Sequence, residues 1–302
     1  MLRSLLFALV AAGAAQGLDR FEAVEPVMGT LFRVTLYADS AGQARAGFTA
    51  AFARAHELDA ALSDYKEDSE LNRLCRAGRA PVSEDLFNVL RAALEIARES
   101  RGAFDPTLGP LTRLWRESRR ARRLPDPAAL AEARRRTGWR KVRLFARTRT
   151  VTLAGTGMQL DLGGIAKGFT ADQMLLTLRK LGLPHALVAA SGDLALGEAP
   201  PGRAGWTVAV GGSTRLLVNC GVSTSGPGEQ FAEIGGVRYA HIVDPRTGIG
   251  LVNAKTAGII APTATLADAL ATAAVVLDDG SASRLARRRN AVFLRNTEVE
   301  RP

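Results

Sequence analysis

The sequence predicts a single elaborated α+β domain, for three reasons. A chain of 302 residues, 47% of them hydrophobic, is long and apolar enough to bury a sizeable core. Segments with helical period and segments with strand period are both present, but they do not alternate as in a doubly wound parallel sheet. No internal repeat, low-complexity segment or long linker divides the chain. We therefore expect one domain over residues 18–302.

Residues 1–17 have the pattern of a signal peptide. Arg3 precedes a short apolar run from Leu5 to Ala12, and small residues follow it. The run is too short to span a bilayer, and no cysteine follows it as in a lipoprotein anchor. The sequence thus predicts export to the periplasm with cleavage near residues 15–17. The alternative is a buried N-terminal helix.

The two cysteines, Cys75 and Cys220, do not identify a function. Export would allow them to form a disulfide, but two cysteines so far apart in the sequence leave the pairing open. They are also too few for a multi-cysteine metal site.

Helices are predicted where apolar residues recur every three or four positions. Phe48, Phe52 and Ala55, for example, fall on one face of such a segment. Ser69 can cap a short helix that follows a polar loop containing Tyr65. The longer predicted helices are 45–62, 85–100, 128–138, 166–181 and 264–277.

Strands are predicted where apolar and polar residues alternate or where a short apolar run ends at a turn signal. Residues 151–160 form an apolar run broken by Gly155 and Gly157, which indicates a strand or a hairpin. Residues 239–248 form a strand that enters a turn containing Pro245 and Gly248. The other predictions are strands at 32–37, 185–190, 206–210 and 215–218 and a hairpin at 141–152.

Much of the net charge of +10 lies in an arginine-rich segment, residues 113–149, predicted to be a largely helical insertion. Such a run could meet nucleic acid or anionic lipid. No aromatic ladder or recognised nucleic-acid fold accompanies it, so a solvated helical face is the favoured interpretation. Its basic residues are Arg113, Arg116, Arg119, Arg120, Arg122, Arg123, Arg134, Arg135, Arg136, Arg140, Lys141, Arg143, Arg147 and Arg149.

The stretch DLGGIAKG, from Asp161 to Gly168, lies between an apolar run and a predicted helix. Backbone N–H groups at such a helix start can point at an anion, and the helix dipole favours it. Asp161 and Lys167 bracket the turn with opposite charges. The stretch is neither a Walker loop nor a GxGxxG fingerprint. An anion-binding turn and an ordinary strand-to-helix turn are therefore both open.

Asp268 and Thr272 lie one turn apart on one face of a predicted helix of small and apolar residues. Such an oxygen-only pair suits Mg²⁺. Thr265 and Asp268 also have the spacing of a capping box, which the spacing alone favours. His241, one of three histidines, precedes a turn rich in charged residues. It is either a general base or a strand histidine satisfied by a neighbour.

Eight stretches taken together resemble, in chain order, the motifs of the ApbE-type FAD:protein FMN transferases. The resemblance extends from about Met28 to about Leu294, and AFDPT, LDLGGIAKG and HIVDPRTG are its most specific parts. The stretches are MGT, LSDYKEDSELNRL, GAFDPTLGPLTRLW, LDLGGIAKGFTAD, SGDL, STSG, YAHIVDPRTG and APTATLADALATAAVVL.

This resemblance implies a T-fold-like α+β domain that binds FAD as a substrate together with Mg²⁺. It implies cleavage of the FAD pyrophosphate, transfer of the FMN half to a threonine hydroxyl of a partner protein, and release of AMP. The partner would be a flavin-dependent redox subunit, including one in a membrane complex. Nucleic acid is not an expected partner.

The resemblance also implies roles for individual residues, and it favours the metal over the cap for Asp268. Mg²⁺ would be held by the side chains of Asp268 and Thr272 and by the backbone carbonyl of Ala166. His241 and Asp268 would be catalytic, with His241 near the acceptor hydroxyl. The implied flavin nucleotide contacts are Met28, Tyr65, Ala103, Phe104, Asp105, Asp161, Lys167 and Ile242.

The chain departs from the family pattern at two places. Ser191-Gly192-Asp193 replaces the usual Gly-Gly-Asp, and Leu74-Cys75-Arg76 replaces an asparagine-rich helix end. Three alternatives to a transferase stay open. One is an FAD pyrophosphatase, in which water takes the place of the threonine, and another is a flavin-binding carrier without catalysis. The third is a nucleic-acid binder that uses the arginine-rich segment.

Overall fold

The computed structural model describes residues 17–227, 231–252 and 254–295. The predicted signal peptide therefore lies, except for residue 17, outside the described residues. The helices are α1 (Ala41–Leu62), α2 (Glu70–Ala77), α3 (Glu84–Glu99), α4 (Gly109–Ala121), α5 (Pro127–Arg135), α6 (Ala166–Lys180), α7 (Ala264–Val276) and α8 (Asp279–Arg288). Short 3₁₀ turns lie at Trp139–Lys141 and Ala146–Thr148.

The strands form one large sheet and three small ones. They are β1 (Asp19–Val27), β2 (Thr30–Ala38), β3 (Arg79–Pro81), β4 (Val142–Phe145), β5 (Thr150–Leu153), β6 (Ala186–Ala190), β7 (Asp193–Leu196), β8 (Trp206–Val210), β9 (Ser213–Leu217), β10 (Cys220–Ser225), β11 (Phe231–Ile234), β12 (Val237–Val243), β13 (Gly250–Val252), β14 (Ala257–Ala261) and β15 (Val292–Arg295).

The large sheet is antiparallel and has seven strands in the order β1-β2-β6-β7-β10-β14-β15. Helices α1, α6 and α7 pack against it, and α6 also packs against both α1 and α7. Buried residues of α1, α6, β2 and β6 form one core beneath them. The β8–β9 hairpin contributes to a separate cluster with β7 and β10. Helices grouped on an antiparallel sheet define an α+β fold, as predicted.

Side-chain caps begin most of the helices. Ser40, Ser69 and Ser83 each accept a hydrogen bond from a backbone N–H in the first turn of α1, α2 and α3. Asp126 and Asp278 do the same for α5 and α8. The prediction of an N-cap at Ser69 is therefore confirmed.

The arginine-rich segment is only partly helical. It contains most of α4, all of α5, and then strand β4. Strand β4 pairs with β5 as the predicted hairpin, and β5 also pairs with β3. The predicted strand at 151–160 ends at Leu153, because the chain turns through Gly155 and Gly157, the latter at φ +73°.

The structure also answers two questions raised by the sequence, the state of the two cysteines and the presence of a membrane-spanning helix. Cys75 and Cys220 are free thiols, and burial raises the pKa of each above its ordinary value. Among the described residues, no helix is both long enough and apolar enough to cross a membrane.

Candidate active site

The turn before α6 is built by Asp161. Its Oδ1 accepts a 2.8 Å hydrogen bond from the Gly163 N–H, and its own N–H donates to the Pro106 carbonyl at 2.8 Å. Residue Ile165, at the N-cap position of α6, offers no side-chain acceptor. The Ala166 N–H donates to the Leu162 carbonyl in the same turn at 2.8 Å, whereas the Gly168 N–H takes its partner from another part of the chain.

Helices α6 and α7 supply each other's missing acceptors. Asp268 on α7 accepts a 3.1 Å hydrogen bond from the Gly168 N–H in the first turn of α6. Asp172 on α6 accepts from the Ala264 and Thr265 N–H groups at 2.9 and 2.8 Å, and from the Thr265 hydroxyl at 2.5 Å. This reciprocal pairing fixes the two helix starts relative to each other.

The capping-box interpretation of Asp268 is wrong. Thr263, not Thr265, is the N-cap of α7, and its hydroxyl accepts from the Leu266 N–H at 3.2 Å. Asp268 lies farther along α7 and caps the neighbouring helix instead. Its carboxylate is thereby turned towards Lys167.

Lys167, Asp193, Ser223 and Asp268 form what we call the lysine–carboxylate cluster. The Lys167 ammonium lies 2.9 Å from Asp193 Oδ2 and 3.4 Å from Asp268 Oδ2. It also donates to the Gly163 carbonyl at 3.1 Å. The Ser223 hydroxyl donates to Asp193 Oδ1 at 2.6 Å. Asp268 is only 1% exposed, so two buried carboxylates share one ammonium group.

Burial controls the ionisation of this cluster. It raises the pKa of the Asp268 carboxyl to about 7, and the charge of Asp193 acts in the same direction. Burial also acts to lower the pKa of Lys167, but the charges of Asp268 and Asp193 outweigh it and raise that pKa above its usual range. Lys167 thus stays charged, and once Asp268 loses its proton the two carboxylates have more negative charge than one ammonium can neutralise.

Thr272 lies beside the same turn, because two glycines allow a close approach. A Cβ on Gly164 would come within 2.9 Å of Thr272 Oγ1 and 3.2 Å of the Phe104 ring. A Cβ on Gly168 would come within 2.2 Å of the Ala264 carbonyl and 2.9 Å of Asp268 Cβ. Ala166, the first residue of α6, sits between these two glycines.

Asp64, Tyr65, Arg116 and Asp161 form a second group, the arginine cluster. Arg116 on α4 bonds Asp64 Oδ2 at 2.7 Å and Asp161 Oδ2 at 3.3 Å. Its guanidinium lies 4.4 Å from the centroid of the Tyr65 ring, and that residue is 75% exposed. Burial raises the pKa of Asp64, and the charge of Asp161 adds to the effect. Asp161 joins the two clusters through the turn.

The loop at Ala103, Phe104 and Asp105 is held by its own residues. The Asp105 carboxylate accepts from the Thr107 N–H and hydroxyl at 2.8 and 2.6 Å, and from the Trp139 N–H at 3.1 Å. Burial raises the pKa of this carboxyl. The Asp105 carboxylate therefore shapes this loop, and its implied contact with the flavin nucleotide stays a prediction.

His241 and Ile242 lie on β12, outside the large sheet. Helix α4 holds this strand, because the Trp115 indole donates a 3.0 Å hydrogen bond to the Ala240 carbonyl. Ile242 and Ala103 pack against the same apolar cluster, which includes the last turn of α7. The structure thus brings the YAHIVDPRTG and GAFDPT stretches to the end of the helix that carries Asp268.

Met28 lies in the β1–β2 turn at φ +50°, where its sulfur accepts a 3.5 Å hydrogen bond from Thr170 on α6. Ser191 likewise has φ +58°, a backbone conformation that glycine adopts without strain. The serine that departs from the family pattern therefore occupies a position suited to glycine.

Sequence reasoning found several members of the site and missed others. Asp161, Lys167, Asp268 and Thr272 were predicted and lie around one helix start. Arg116 was missed because nothing in the sequence distinguishes it from the other arginines of the segment, and no local pattern assigns a role to Ser223. Ser223 joins the site only through its pairing with Asp193 across adjacent strands, and Asp193 contacts Lys167.

The residues present fit a hard cation such as Mg²⁺. Within residues 17–227, 231–252 and 254–295, no three His, Cys, Asp or Glu side chains are grouped so that they could hold a metal alone. A cation at Asp268 would therefore need neutral oxygens as well, and Thr272 supplies one next to Gly164. The Lys167 ammonium beside Asp268 shows that this position favours positive charge.

Fold and site together define an α+β protein with a charged, partly buried site at a helix start. Comparison with known proteins gives the family. The sequence profile of the ApbE family matches residues 28–294. The FAD:protein FMN transferase of Treponema pallidum is 39% identical over 90% of this chain and 83% of its own length. That of Haemophilus influenzae is 31% identical over 88% and 84%.

Solved structures agree with this result. The apo flavinyl transferase ApbE of Pseudomonas stutzeri superposes with a TM-score of 0.80 at 26% identity, over 93% of this chain and 96% of that one. The ApbE protein of Thermotoga maritima gives 0.81 at 28% identity, over 92% and 94%. The chain belongs to the ApbE family.

Proposed function

We propose that this chain is a Mg²⁺-dependent FAD:protein FMN transferase. It would transfer the FMN half of FAD to a threonine hydroxyl of a partner protein and release AMP. One observation supports this above all: two buried carboxyl groups share a single ammonium in the lysine–carboxylate cluster at the start of α6, where a phosphate group is also favoured. A cation and a pyrophosphate can therefore meet at this point.

The residues that would hold Mg²⁺ are Asp268, Thr272 and the backbone carbonyl of Ala166. Bound there, the ion would neutralise charge on the pyrophosphate and on the departing AMP. Lys167 lies at the same place and provides a second positive charge towards the phosphates. Both effects lower the barrier by stabilising charge in a partly buried site.

The arginine cluster suits the flavin end of the substrate. The exposed Tyr65 ring, with Arg116 beneath it, provides a planar and polarised surface for an aromatic ring system. Asp161 connects this surface to the helix start, since it bonds both Arg116 and the Gly163 N–H. A substrate bound to both clusters would extend along this turn.

The transfer itself is a phosphoryl displacement. The threonine oxygen attacks the phosphorus of the FMN half, the bond from that phosphorus to the bridging oxygen breaks, and AMP leaves with the bridging oxygen. The hydroxyl proton passes to a base, for which His241 is our candidate. Such a base contributes about 10²–10⁴-fold.

The setting of this reaction is part of the proposal. The signal-peptide pattern of residues 1–17 supports an exported, periplasmic enzyme. Its acceptor would be a flavin-dependent redox subunit, including a subunit of a membrane complex. The positive charge of the chain gives no separate reason to expect nucleic acid as a partner.

The proposal is tested with FAD, an acceptor domain and the same domain with its target threonine replaced by alanine. We expect flavin fluorescence to stay on the denatured threonine-bearing acceptor when MgCl₂ is present, and not when EDTA is present. Labelling of the alanine form would contradict the threonine target, and labelling in EDTA would contradict the need for Mg²⁺.

A further inference from the structure

We propose that Asp193 is a positioning residue for the metal site. It holds the Lys167 ammonium at a place that leaves the Asp268 carboxylate available to a cation, chiefly through Oδ1, because Oδ2 already accepts the Gly168 N–H. This inference rests on the proposed Mg²⁺ site. It gives a role to Asp193 and Ser223, which the proposed transfer step does not use.

Asp193 is itself held in a fixed orientation. It begins β7 directly after the tight turn at Ser191 and Gly192, and it faces Ser223 in the register of β10. Ser223, which is fully buried, donates a 2.6 Å hydrogen bond to Asp193 Oδ1. The Thr224 N–H also holds the turn before Asp193, because it donates to the Gly192 carbonyl at 3.0 Å. The second oxygen, Oδ2, is therefore directed at Lys167.

The distances around Lys167 show how its ammonium is shared. Nζ lies 2.9 Å from Asp193 Oδ2 and 3.1 Å from the Gly163 carbonyl. It lies 3.5 and 3.4 Å from the two oxygens of Asp268, at the long end of the hydrogen-bond range. Asp193 and Gly163 thus make the closer hydrogen bonds to the ammonium, and Asp268 makes the longer ones.

The charge of Asp193 has two consequences for a cation at Asp268. It keeps the ammonium from closing on Asp268, so that a metal does not have to displace a tight ion pair. With Asp268 deprotonated, as a metal ligand must be, the charge of Asp193 also gives Lys167, Asp193 and Asp268 a net negative charge, which attracts a cation in a buried site. Removal of the Asp193 charge should weaken metal binding through both effects.

The test is calorimetric titration of the full chain with MgCl₂ alone, without FAD. We expect Asp193→Asn to raise the Kd about 10–100-fold, as replacements behind metal ligands typically do. Ser223→Ala keeps the charge but frees the carboxylate, and should raise the Kd by a smaller factor. An unchanged Kd in Asp193→Asn would overturn the inference.

A double variant separates positioning from a general structural effect. In Asp193→Asn combined with Lys167→Met, the ammonium that would close on Asp268 is absent and the net charge of the wild type is restored. We expect the Mg²⁺ Kd to return to within a few-fold of the wild-type value. A double variant that binds as weakly as Asp193→Asn would show that the ammonium is not the cause and would contradict the inference.

Two controls complete the experiment. Asp59→Asn removes another buried carboxylate, paired with Lys66 at 2.6 Å, and should leave the Kd unchanged. An equal loss in Asp59→Asn would overturn the inference. If neither the wild type nor Asp268→Ala binds Mg²⁺, the proposed metal site itself is refuted. Binding that is lost in Asp268→Ala but kept in Asp193→Asn would refute only the role of Asp193.

Discussion

Burial and metal binding favour opposite protonation states of the Asp268 carboxyl group. Burial raises its pKa to about 7, which favours the protonated form, whereas a metal ligand must be deprotonated. A carboxyl with a raised folded-state pKa binds its proton more tightly than in the unfolded chain. Without metal, its contribution to stability therefore decreases as pH rises from about 4 to about 7.

The corresponding prediction concerns the pH dependence of metal binding. We expect Mg²⁺ affinity to increase with pH up to about 7 and then to level off, because below this value the metal competes with the Asp268 proton. Calorimetric titrations at several pH values measure this directly. Affinity that is constant from pH 5.5 to pH 8.5 (~ three decades of proton concentration) would contradict the role of this carboxyl.

Arg116 is the residue on which the proposed flavin end of the site depends. Arg116→Ala would leave Asp64 and Asp161 as neighbouring carboxylates without their shared counterion. We expect a loss of about 1–3 kcal/mol in unfolding free energy, between the values for exposed and buried pairs. We also expect FAD binding to weaken about tenfold, the equivalent of one such contact.

Flavin fluorescence titration and urea denaturation measure these two effects. Arg120→Ala, at an exposed position of the same helix, is the matched control and should change neither quantity by more than about 0.5 kcal/mol. If Arg116→Ala behaved like this control, the arginine cluster would not be part of the flavin site.

The pairing of α6 and α7 connects helix capping to function. Asp172→Ala removes the acceptor for two N–H groups and one hydroxyl at the start of α7. We expect a stability loss of about 1–2 kcal/mol, together with weaker Mg²⁺ binding, because α7 carries Asp268 and Thr272. Thermal melting and metal titration give the two readouts.

Asp278→Ala is the matched control for this element. Asp278 caps α8 through a single 2.9 Å hydrogen bond from the Ser281 N–H. We expect a loss of about 1 kcal/mol with unchanged Mg²⁺ affinity. Equal effects of the two variants on metal binding would mean that the cap at Asp172 has no special connection to the site.

Gly168 allows α6 to approach α7. An alanine Cβ there would lie 2.2 Å from the Ala264 carbonyl, so Gly168→Ala must separate the two helices. We expect a loss of about 1–3 kcal/mol and loss of transferase activity. Gly42 in α1 is the matched control, because a Cβ there would meet only Ser40 Oγ, at 3.8 Å. We expect Gly42→Ala to be neutral or stabilising by up to about 1 kcal/mol. A Gly168→Ala variant as stable and active as Gly42→Ala would contradict this packing.

The elements that sequence reasoning recovered have one clearly apolar face. Helices α1, α3, α6 and α7 were predicted close to their observed bounds, because their buried residues recur with helical period. Strand β1 was missed because it is an edge strand in which Glu25 interrupts the apolar face formed by Phe21, Ala23 and Val27. Helix α8 was missed because only three of its residues are buried.

Across the whole molecule, the site combines residues that are far apart in the sequence. Strand pairing in the large sheet brings Asp193 and Ser223 beneath α6, and α4 places Arg116 against the loop of Tyr65. Motifs within one stretch, such as Asp161 with Lys167, could be predicted. Contacts that depend on strand register or on helix packing could not, because no local pattern encodes them.

The most direct measurement is the ratio of AMP released from FAD to FMN bound on the acceptor, by wild type with MgCl₂ and with EDTA. If one site cleaves FAD and transfers FMN, the ratio is about one, since each displacement yields one of each product, and both products are lost in EDTA. AMP released without labelling of the acceptor would indicate a hydrolase. FAD bound without release of AMP would indicate a carrier, and either result would contradict a transferase.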